Sequence, residues 1–349
     1  TSTVYRNTAM LTGLAMAQIP HTNDYVVAAL YKFVRLSGLE DWQQRLRAVT
    51  ESCQMMGTIL LADEGINGTV SAEPADMERF IGWLTGINEF ADTDVKYSTY
   101  QERPFHRMKV RLKREIVTMG QPDIQPAEHA GIYVDPKDWN ALITDPDVLV
   151  VDTRNSYETA IGKFSDATDP QTKTFREFPA WANQLADMPD AEKPKKIAMY
   201  CTGGIRCEKS TAYMKSLGFD DVYHLKGGIL RYLEETPKEQ SLWEGECFVF
   251  DSRVAVDHSL NKGIYDLCHA CKMPIDANDM ADEAYVPGVS CPHCHDKTSD
   301  AQRARFAERS RQIDLARQRG EQHIGMKKPA PENAPKTAPA ASQPDDIDN

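Results

Sequence analysis

The stretch Lys196-Ile-Ala-Met-Tyr-Cys-Thr-Gly-Gly-Ile-Arg-Cys-Glu-Lys-Ser210 decides the fold of the middle of this chain. Its apolar first part predicts a buried strand, and the residues from about Cys207 onward predict a helix. Gly203 and Gly204 predict a tight turn between the strand and the helix. In this turn, backbone N–H groups and the positive end of the helix converge on one point. An anionic sulfur is stabilised there, so we predict Cys201 as an activated nucleophile. The alternative is a cysteine that only fills the core at a strand end.

The position of the arginine in this loop narrows the chemistry. Arg206 lies five positions after Cys201, whereas a phosphatase loop needs arginine six positions after, where this chain has Cys207. The shorter loop encloses a smaller space, which suits a sulfur atom or an edge-on ring better than a phosphoryl group. Cys207 either forms a disulfide with Cys201 or only begins the helix, and we favour the helix start.

A second apolar run, Val148-Leu-Val-Val151, ends in Asp152. Short runs of this kind, separated by helical stretches, indicate a buried parallel sheet. Functional groups gather at the carboxyl ends of such strands, so we expect Asp152 and Arg154 beside the Cys201 loop. We favour a loop-fixing ion pair over a direct chemical role for these two residues.

Three blocks of sequence resemble a rhodanese domain over about residues 140–235. They are Val151-Asp-Thr-Arg154 with Glu158 and Gly162, the loop Cys201-Thr-Gly-Gly-Ile-Arg206, and Gly218-Phe219 followed by Val222 and Leu225-Lys-Gly-Gly228. One departure is Gly162-Lys163-Phe164, where the family usually carries Gly-His and a β-branched residue. The resemblance implies thiolate or persulfide chemistry at Cys201. We assign Cys201 and Arg206 as candidate catalytic residues, supported by Thr202, Gly203, Gly204, Ile205, Asp152 and Arg154.

Residues 24–120 predict a small α+β unit. Strands are predicted at 25–34, 58–61, 69–71, 94–98 and 106–118, and helices at 40–55 and 74–84. The order βαββαβ is typical of a ferredoxin-like, or acylphosphatase-like, sandwich. Asp63-Glu-Gly-Ile-Asn-Gly68 predicts a polar turn between strands, and its residues leave a purely structural turn and a contact with RNA equally open.

The segment from Arg107 to Lys113 alternates strictly between basic and apolar residues. Four candidate RNA-binding residues are predicted on one strand face: Arg107, Lys109, Arg111 and Lys113. Alone, this pattern favours a solvated outer face. A second patch of arginines at 303–319 is predicted on a helix. Two basic patches beside a thiol loop favour an RNA substrate in spite of the formal net charge of −12.

Two cysteine pairs follow, Cys268-His-Ala-Cys271 and Cys291-Pro-His-Cys294. The spacing suits one tetrahedral structural zinc held by all four sulfurs. A redox pair and unmetallated thiols are the alternatives, and His269, His293 and His295 are substitute ligands.

Several segments together resemble the bacterial rhodanese-domain tRNA uridine hydroxylases, up to about residue 325. They are Leu60-Leu-Ala-Asp-Glu-Gly-Ile-Asn-Gly68, the basic strand from Phe105, the loop Cys201–Ser210 and the cysteine pairs. The resemblance implies a cytoplasmic enzyme that uses dioxygen to convert a wobble uridine of tRNA into 5-hydroxyuridine, with Cys201 as the residue carried over. Addition of a thiolate to C6 activates C5, and loop N–H groups with Arg206 would stabilise the oxyanion. The sequence carries no flavin or iron motif, so the reductant stays unidentified.

The length and composition of the chain indicate how these features are divided into domains. The chain has 349 residues and eight cysteines, too few for a disulfide scaffold. We predict an N-terminal extension (1–23), the ferredoxin-like domain (24–120), a linker (121–130), an α/β rhodanese domain (131–240), a Cys-rich and Arg-rich region (241–325) and a disordered tail (326–349). The sequence predicts no membrane span and no obligate protein partner. Two rival functions remain, a sulfurtransferase with a Cys201 persulfide and a non-catalytic RNA-binding module.

Overall fold

The N-terminal domain is an open-faced sandwich of five strands and two helices. The structure, a computed structural model, describes Ile19 and residues 24–101, 103–251 and 253–319. The elements of the domain are β1 (Tyr25–Phe33), α1 (Leu39–Ser52), β2 (Met56–Ala62), β3 (Gly65–Ala72), α2 (Pro74–Thr85), β4 (Asp94–Tyr100) and β5 (Met108–Leu112). The predicted tail and most of the N-terminal extension lie outside the described residues.

The strand order β4-β1-β3-β2-β5 gives the ferredoxin-type arrangement with one additional strand. The first four strands pair antiparallel, and β5 is added parallel to β2 at the edge. One sheet face packs on α1 and α2 through a core that includes Leu30, Ile59 and Phe80. The other face carries no described helix of this domain and is turned toward the rest of the chain, because Tyr31 and Lys96 on it contact Glu208 and Gly203 of the middle domain.

Two sequence predictions in this domain were wrong in extent. The predicted turn 63–68 is only two residues long, because Gly65 already pairs with Ala62 and Phe33 in β3. A Cβ at Gly65 would lie 2.0 Å from the Lys32 carbonyl oxygen, so glycine permits this close pairing. The predicted strand 106–118 ends at Leu112, because the buried Glu115 accepts the N–H groups of Met119 and Gly120 and turns the chain inward.

The middle of the chain is a parallel α/β domain. After the short helix α3 (Pro126–His129) in the linker, its sheet contains β6 (Ile132–Val134), β7 (Val148–Asp152), β9 (Lys196–Tyr200) and β10 (Asp221–Leu225) in the order β6-β10-β9-β7. Its helices are α4 (Pro136–Ile143), α5 (Ser156–Thr159), α6 (Phe178–Ala186), α7 (Ile205–Ser216) and α8 (Gly228–Glu235). Consecutive β-strands joined by helices on both faces bury the sheet, as the apolar runs predict.

The core of this domain continues past residue 240, where the sequence prediction ends it. A strand β11 (Trp243–Gly245) pairs antiparallel with β8 (Gly162–Phe164), and the hairpin β12 (Cys247–Phe248) and β13 (Ala255–Val256) follows. Trp243 and Cys247 are buried in the same cluster as Phe164 and Tyr200. Aromatic edge-to-face contacts, such as that of Phe164 with Trp243 at 5.2 Å, fix this extension to the domain.

The remaining C-terminal part is a small cysteine-rich unit with one long helix. It contains the hairpin β14 (Asp266–Leu267) and β15 (Pro274–Ile275), α9 (Ala277–Ala281) and α10 (Asp300–Gln318). Its cluster is built around Cys268, Ile275, Cys291 and Cys294 rather than around large apolar side chains. Within the described residues, no helix is both long and apolar enough to cross a membrane.

Candidate active site

Cys201 lies at the carboxyl end of β9, in the turn that leads into α7. Its side chain is buried, and the N–H of Gly204 donates to its sulfur at 3.1 Å. Gly204 has φ +103°, a conformation that favours glycine, and it precedes the first residue of α7. The turn between β10 and α8 supports the loop from behind, since the N–H of Ile229 donates to the carbonyl of Cys201 at 3.0 Å. The predicted strand, turn and helix are therefore all present.

The surroundings of Cys201 favour its thiolate. Burial alone raises its pKa, but a hydrogen bond from the Cys207 thiol, the charge of Arg206 and backbone N–H groups outweigh burial and lower the pKa to about 5. At neutral pH the thiolate is then the predominant form of Cys201. Burial and the neighbouring thiolate raise the pKa of Cys207, so Cys207 stays a neutral donor. A cysteine that only filled the core would lack these partners.

Arg206 faces a carboxylate and not the open space above the loop. Its two terminal nitrogens donate to the two carboxylate oxygens of Glu158 at 2.7 Å each, and both side chains are buried. This pairing lowers the pKa of Glu158 and raises that of Arg206, although burial opposes each charge. The sequence prediction gave Arg206 a direct role at the substrate oxyanion. In the structure the guanidinium instead acts on Cys201 through its charge, because both of its terminal nitrogens already donate to Glu158.

Asp152 and Arg154 form the ion pair that the sequence favours. Arg154 is fully buried, with a nitrogen 2.6 Å from an oxygen of Asp152 and another donation to the Gly162 carbonyl at 2.6 Å. Its guanidinium also lies 5.1 Å from the centre of the Trp243 ring. These contacts join the end of β7 to β8 and β11, and Thr153 of the same segment donates to the Tyr200 carbonyl at 3.0 Å. The pair thus supports the floor of the loop and does not touch Cys201.

Glu208, which sequence reasoning did not assign, is a buried carboxyl near Cys201. Tyr31 of β1 donates to it at 2.9 Å, and Tyr133 also hydrogen-bonds it. Burial raises its pKa to about 7, in spite of the two tyrosine hydrogen bonds, and the charge of Cys201 adds to that rise. An acidic residue in the first turn of the helix after a cysteine loop was the available signal for it.

Lys96 of β4 holds the loop from the N-terminal domain. Its ammonium donates to the carbonyl of Gly203 at 2.7 Å and to that of Gly227 at 2.5 Å. The peptide that joins Gly203 to Gly204 therefore points its carbonyl at Lys96 and its N–H at the Cys201 sulfur. Because the two groups of a trans peptide point in opposite directions, the cation both orients and polarises the N–H that Cys201 accepts.

A second lysine fastens the two domains together beneath the loop. Lys209 of α7 is fully buried and pairs with Glu64 and with Glu115, the latter at 2.7 Å. Glu64 also accepts the N–H of Ile116 at 2.6 Å, and Asn67 donates to the Ile116 carbonyl at 2.8 Å. The motif at 63–68 therefore serves the domain interface. Burial excludes a direct contact of Glu64 with RNA, whereas Asp63 is exposed and Asn67 is half-buried, so an RNA contact of the motif stays a prediction.

The four candidate tRNA-binding residues lie on the edge strand of the open sheet face or just beside it. Arg107, Arg111 and Lys113 are exposed, Lys109 is half-buried, and the intervening Val110 is in the core. Burial and the charges of Arg107 and Arg111 lower the pKa of Lys109. Within the described part of the chain, none of the four pairs with a carboxylate. The contact with RNA itself stays a prediction.

The arginine patch on α10 is partly occupied by intramolecular contacts. Arg303 pairs with Asp300 at 2.6 Å and Arg311 with Glu308 at 2.8 Å. Arg309 donates to the His269 carbonyl at 2.7 Å and so fastens α10 to the cysteine-rich unit. Such short-range pairs leave less free positive charge on this helix than the sequence predicts.

The four cysteines of the C-terminal pairs converge. The sulfurs of Cys268, Cys271, Cys291 and Cys294 all lie within 4.8 Å of one another, with 3.7 Å between Cys271 and Cys291 and 3.8 Å between Cys291 and Cys294. Four thiolates at about 2.3 Å from a tetrahedral zinc would be about 3.8 Å apart, so the donor set fits that metal. His293 and His295 contact Asp279 and Asp296 instead, at 3.2 and 3.1 Å.

Comparison with known proteins divides the chain in the same way. Residues 25–116 match the UPF0176 acylphosphatase-like domain, and residues 135–235 match the rhodanese-like domain. A protein of unknown function from Rhodopseudomonas palustris, described as a possible tyrosine phosphatase, is 22% identical; 32% of this chain and 86% of that chain are covered, with a TM-score of 0.27. The rhodanese-like domain of an Anabaena protein is 17% identical over 32% of this chain and 78% of its own, with a TM-score of 0.26.

An acylphosphatase from Coxiella burnetii is 14% identical over 26% of this chain and 94% of its own, with a TM-score of 0.20.

The family match over residues 135–235 shows that the middle domain is a rhodanese domain with a parallel sheet, and its cysteine loop supports a sulfurtransferase-like or redox role for Cys201. The chain joins a UPF0176 acylphosphatase-like domain to a rhodanese-like domain, and a region with four close cysteines follows.

Proposed function

We propose that this protein is an oxygen-dependent tRNA hydroxylase that converts the wobble uridine into 5-hydroxyuridine, with Cys201 as its nucleophile. The observation that carries the proposal is the position of the Cys201 loop against the open face of the N-terminal sheet, through Tyr31 and Lys96. The edge strand of the same sheet and the residues beside it carry basic side chains from Arg107 to Lys113, which pair with no carboxylate among the residues that the structure describes. A polyanion such as RNA fits this face, whereas transfer of sulfur between small molecules does not need it.

The first chemical step uses the thiolate. Cys201 adds to C6 of the uracil ring and forms a C–S bond, so an electron pair moves onto C5 and the C4 oxygen. The pKa of about 5 keeps the nucleophile ionised at neutral pH. Since Arg206 is held by Glu158, stabilisation of the enolate falls to backbone N–H groups of the loop and to the field of the buried charges.

The remaining steps balance with dioxygen as oxidant and a small thiol as reductant. The enolate pair bonds to dioxygen at C5, and one proton gives a C5 hydroperoxide. Loss of the C5 proton with cleavage of the C–S bond restores the C5–C6 double bond and frees the Cys201 thiolate. Two thiols then become a disulfide, and the O–O bond is reduced to the C5 hydroxyl and water. In the last two stages, Glu208 with its pKa near 7 is suited to accept or return the proton.

We also propose a structural zinc at Cys268, Cys271, Cys291 and Cys294. The support is the donor set itself, four sulfurs at the mutual distances a tetrahedral centre requires. The unit has few large apolar residues of its own, so a metal would supply stability that its core does not. The zinc takes no part in the steps above.

The test is incubation of the full-length protein with tRNA that has uridine at the wobble position, a thiol and isotopically labelled dioxygen. Nucleoside mass spectrometry should find the label in 5-hydroxyuridine with the wild type and with Cys53→Ser, a buried cysteine remote from the loop. Cys201→Ser should give none. Formation of 5-hydroxyuridine without the label, or unchanged formation by Cys201→Ser, would contradict the proposal.

The runner-up is a sulfurtransferase in which Cys201 carries a persulfide. The N–H of Gly204 aimed at the Cys201 sulfur favours it, because the same group stabilises a terminal sulfur anion. Thiosulfate-dependent sulfur transfer to a thiol or cyanide by the wild type, together with no oxygen incorporation into tRNA, would select this function instead. A non-catalytic RNA-binding role predicts that Cys201→Ser leaves the modified nucleosides of cells unchanged.

A further inference from the structure

The open face of the N-terminal sheet forms two rows of side chains that run from the basic edge to the Cys201 loop. The pairing register places Lys109, Thr58, Thr69, Ala29 and Lys96 side by side across the five strands. The neighbouring row is Arg111, Leu60, Asn67, Tyr31 and Asp94. Paired residues point to the same face, so both rows connect cations at the edge with residues that contact the loop.

A cleft of about 280 Å³ lies over the middle of these rows. Strands β2 and β3 line it with Thr58, Leu60, Asn67, Gly68 and Thr69, and Phe105 and Phe250 add two aromatic rings from outside the sheet. Phe250 is 64% exposed, which is unusual for a phenylalanine that has a packed domain beside it. A volume near the lower limit of about 300 Å³ for small-ligand sites suits one planar ring.

The cleft is adjacent to the reactive loop on two sides. The guanidinium of Arg206 lies 5.8 Å from the centre of the Phe250 ring. On the other side Asn67 is opposite Tyr31, and Tyr31 reaches Glu208 and lies directly against Gly204. A ring held in the cleft is therefore one residue away from the loop by either route.

The chemistry of the cleft matches an unstacked nucleotide. Aromatic rings stack on a base, and nearby cations contact the phosphates on either side of it. Asn67 uses its amide nitrogen on the Ile116 carbonyl, which leaves its side-chain oxygen to accept an N–H such as that of uracil N3. Lys109 and Arg111 lie one strand away from the β2 residues of the cleft, about 5 Å to the side, where the backbone of a bound nucleotide would pass.

We propose that this cleft binds one base of single-stranded RNA between Phe105 and Phe250, with the flanking phosphates on Lys109 and Arg111. The proposal rests on the proposed RNA-directed function and names the subsite that selects an unpaired base. Duplex RNA is rejected because its bases are stacked and paired and cannot enter.

The test measures binding of fluorescein-labelled oligouridine of eight nucleotides to the full-length protein by fluorescence anisotropy, at one fixed salt concentration. Phe250→Ala and Phe105→Ala should each weaken binding by between about five-fold and about 100-fold, the loss expected for one base–aromatic stack. Phe250→Tyr should retain oligouridine binding, because the tyrosine ring still stacks on a base. The matched control is Ile264→Ala, which removes an apolar side chain that is 70% exposed and lies outside the cleft. Its affinity should stay within about two-fold of the wild type, as is usual for a surface substitution.

Two competitors complete the experiment. A blunt RNA duplex and an oligoglutamate of similar charge should bind more weakly than oligouridine and should not respond to Phe250→Ala. Wild-type affinity of both alanine variants for oligouridine would overturn the proposed base site. So would a loss of duplex binding in these variants equal to their loss of oligouridine binding. Because this assay needs no turnover, its failure is distinct from absence of labelled 5-hydroxyuridine, which would overturn the function.

Discussion

The thiol of Cys207 should control the ionisation of Cys201. It is the largest of the contributions that lower the Cys201 pKa to about 5. Cys207→Ala removes this donor, and a hydrogen bond to a charged group contributes about 1.5–3 kcal/mol. At 1.36 kcal/mol for each pKa unit, the pKa should rise by about 1–2 units. The Gly204 N–H and the Arg206 charge remain, so the pKa should stay below that of a free cysteine.

The measurement is the rate of alkylation of Cys201 by iodoacetamide as a function of pH, read by mass spectrometry of the peptide that contains it. Only the thiolate reacts, so the rate of the wild type should fall as the pH drops below about 5 and be constant above about pH 6. The midpoint for Cys207→Ala should move upward to about pH 6–7. Cys207→Ser keeps an O–H donor and should stay within about half a unit of the wild type. An unmoved midpoint for alanine, or an equal shift for serine, would refute the reasoning.

Three further predictions concern the lysines and the cysteine cluster. Lys209→Met leaves Glu64 and Glu115 buried without their cation and should lower the free energy of unfolding in urea by about 3–5 kcal/mol, whereas the exposed Lys137→Met should change little. Lys96→Met should raise the alkylation midpoint of Cys201, because the peptide that donates to the sulfur loses its cation; an unchanged midpoint would mean that Lys96 does not act through that peptide. Metal analysis should find one zinc per chain, and chelation should lower the thermal stability of the C-terminal unit without moving the midpoint of Cys201; protein with no bound metal and unaltered stability would count against the site.

Local sequence signals predicted the elements that carry the reactive loop. The strand Lys196–Tyr200 occurs where the apolar first part of the quoted stretch predicts it, because an apolar run that ends before a Gly-Gly turn has few alternative structures. The same reasoning overextended the edge strand beyond Leu112, where the alternation of the sequence weakens and Glu115 binds backbone N–H groups instead. Periodicity reports which face a residue prefers, and it does not report where a buried carboxylate will end a strand.

The electrostatic partners of the site were not predictable in this way. Glu158 and Arg206 are 48 positions apart, and Glu64 and Lys209 are 145 positions apart. Each of these residues alone reads as an ordinary surface charge, because charged side chains are seldom buried unless they are paired. The Arg206 role was therefore misassigned, and Glu208 and Lys96 were missed. The sequence located the candidate nucleophile Cys201, and only the packing of two domains identified the charged groups around it.

The Lys209 ion pairs also have a consequence for how the chain assembles during synthesis. The N-terminal domain leaves the ribosome first, with Glu64 and Glu115 hydrated until α7 arrives. Before docking, the Lys209 ammonium is open to water on the surface of α7, because both of its carboxylate partners belong to the N-terminal part of the chain. Docking replaces that water with the two carboxylates and removes all three charges from the solvent together. The domain interface beneath the Cys201 loop therefore forms only after both halves of the chain have been made.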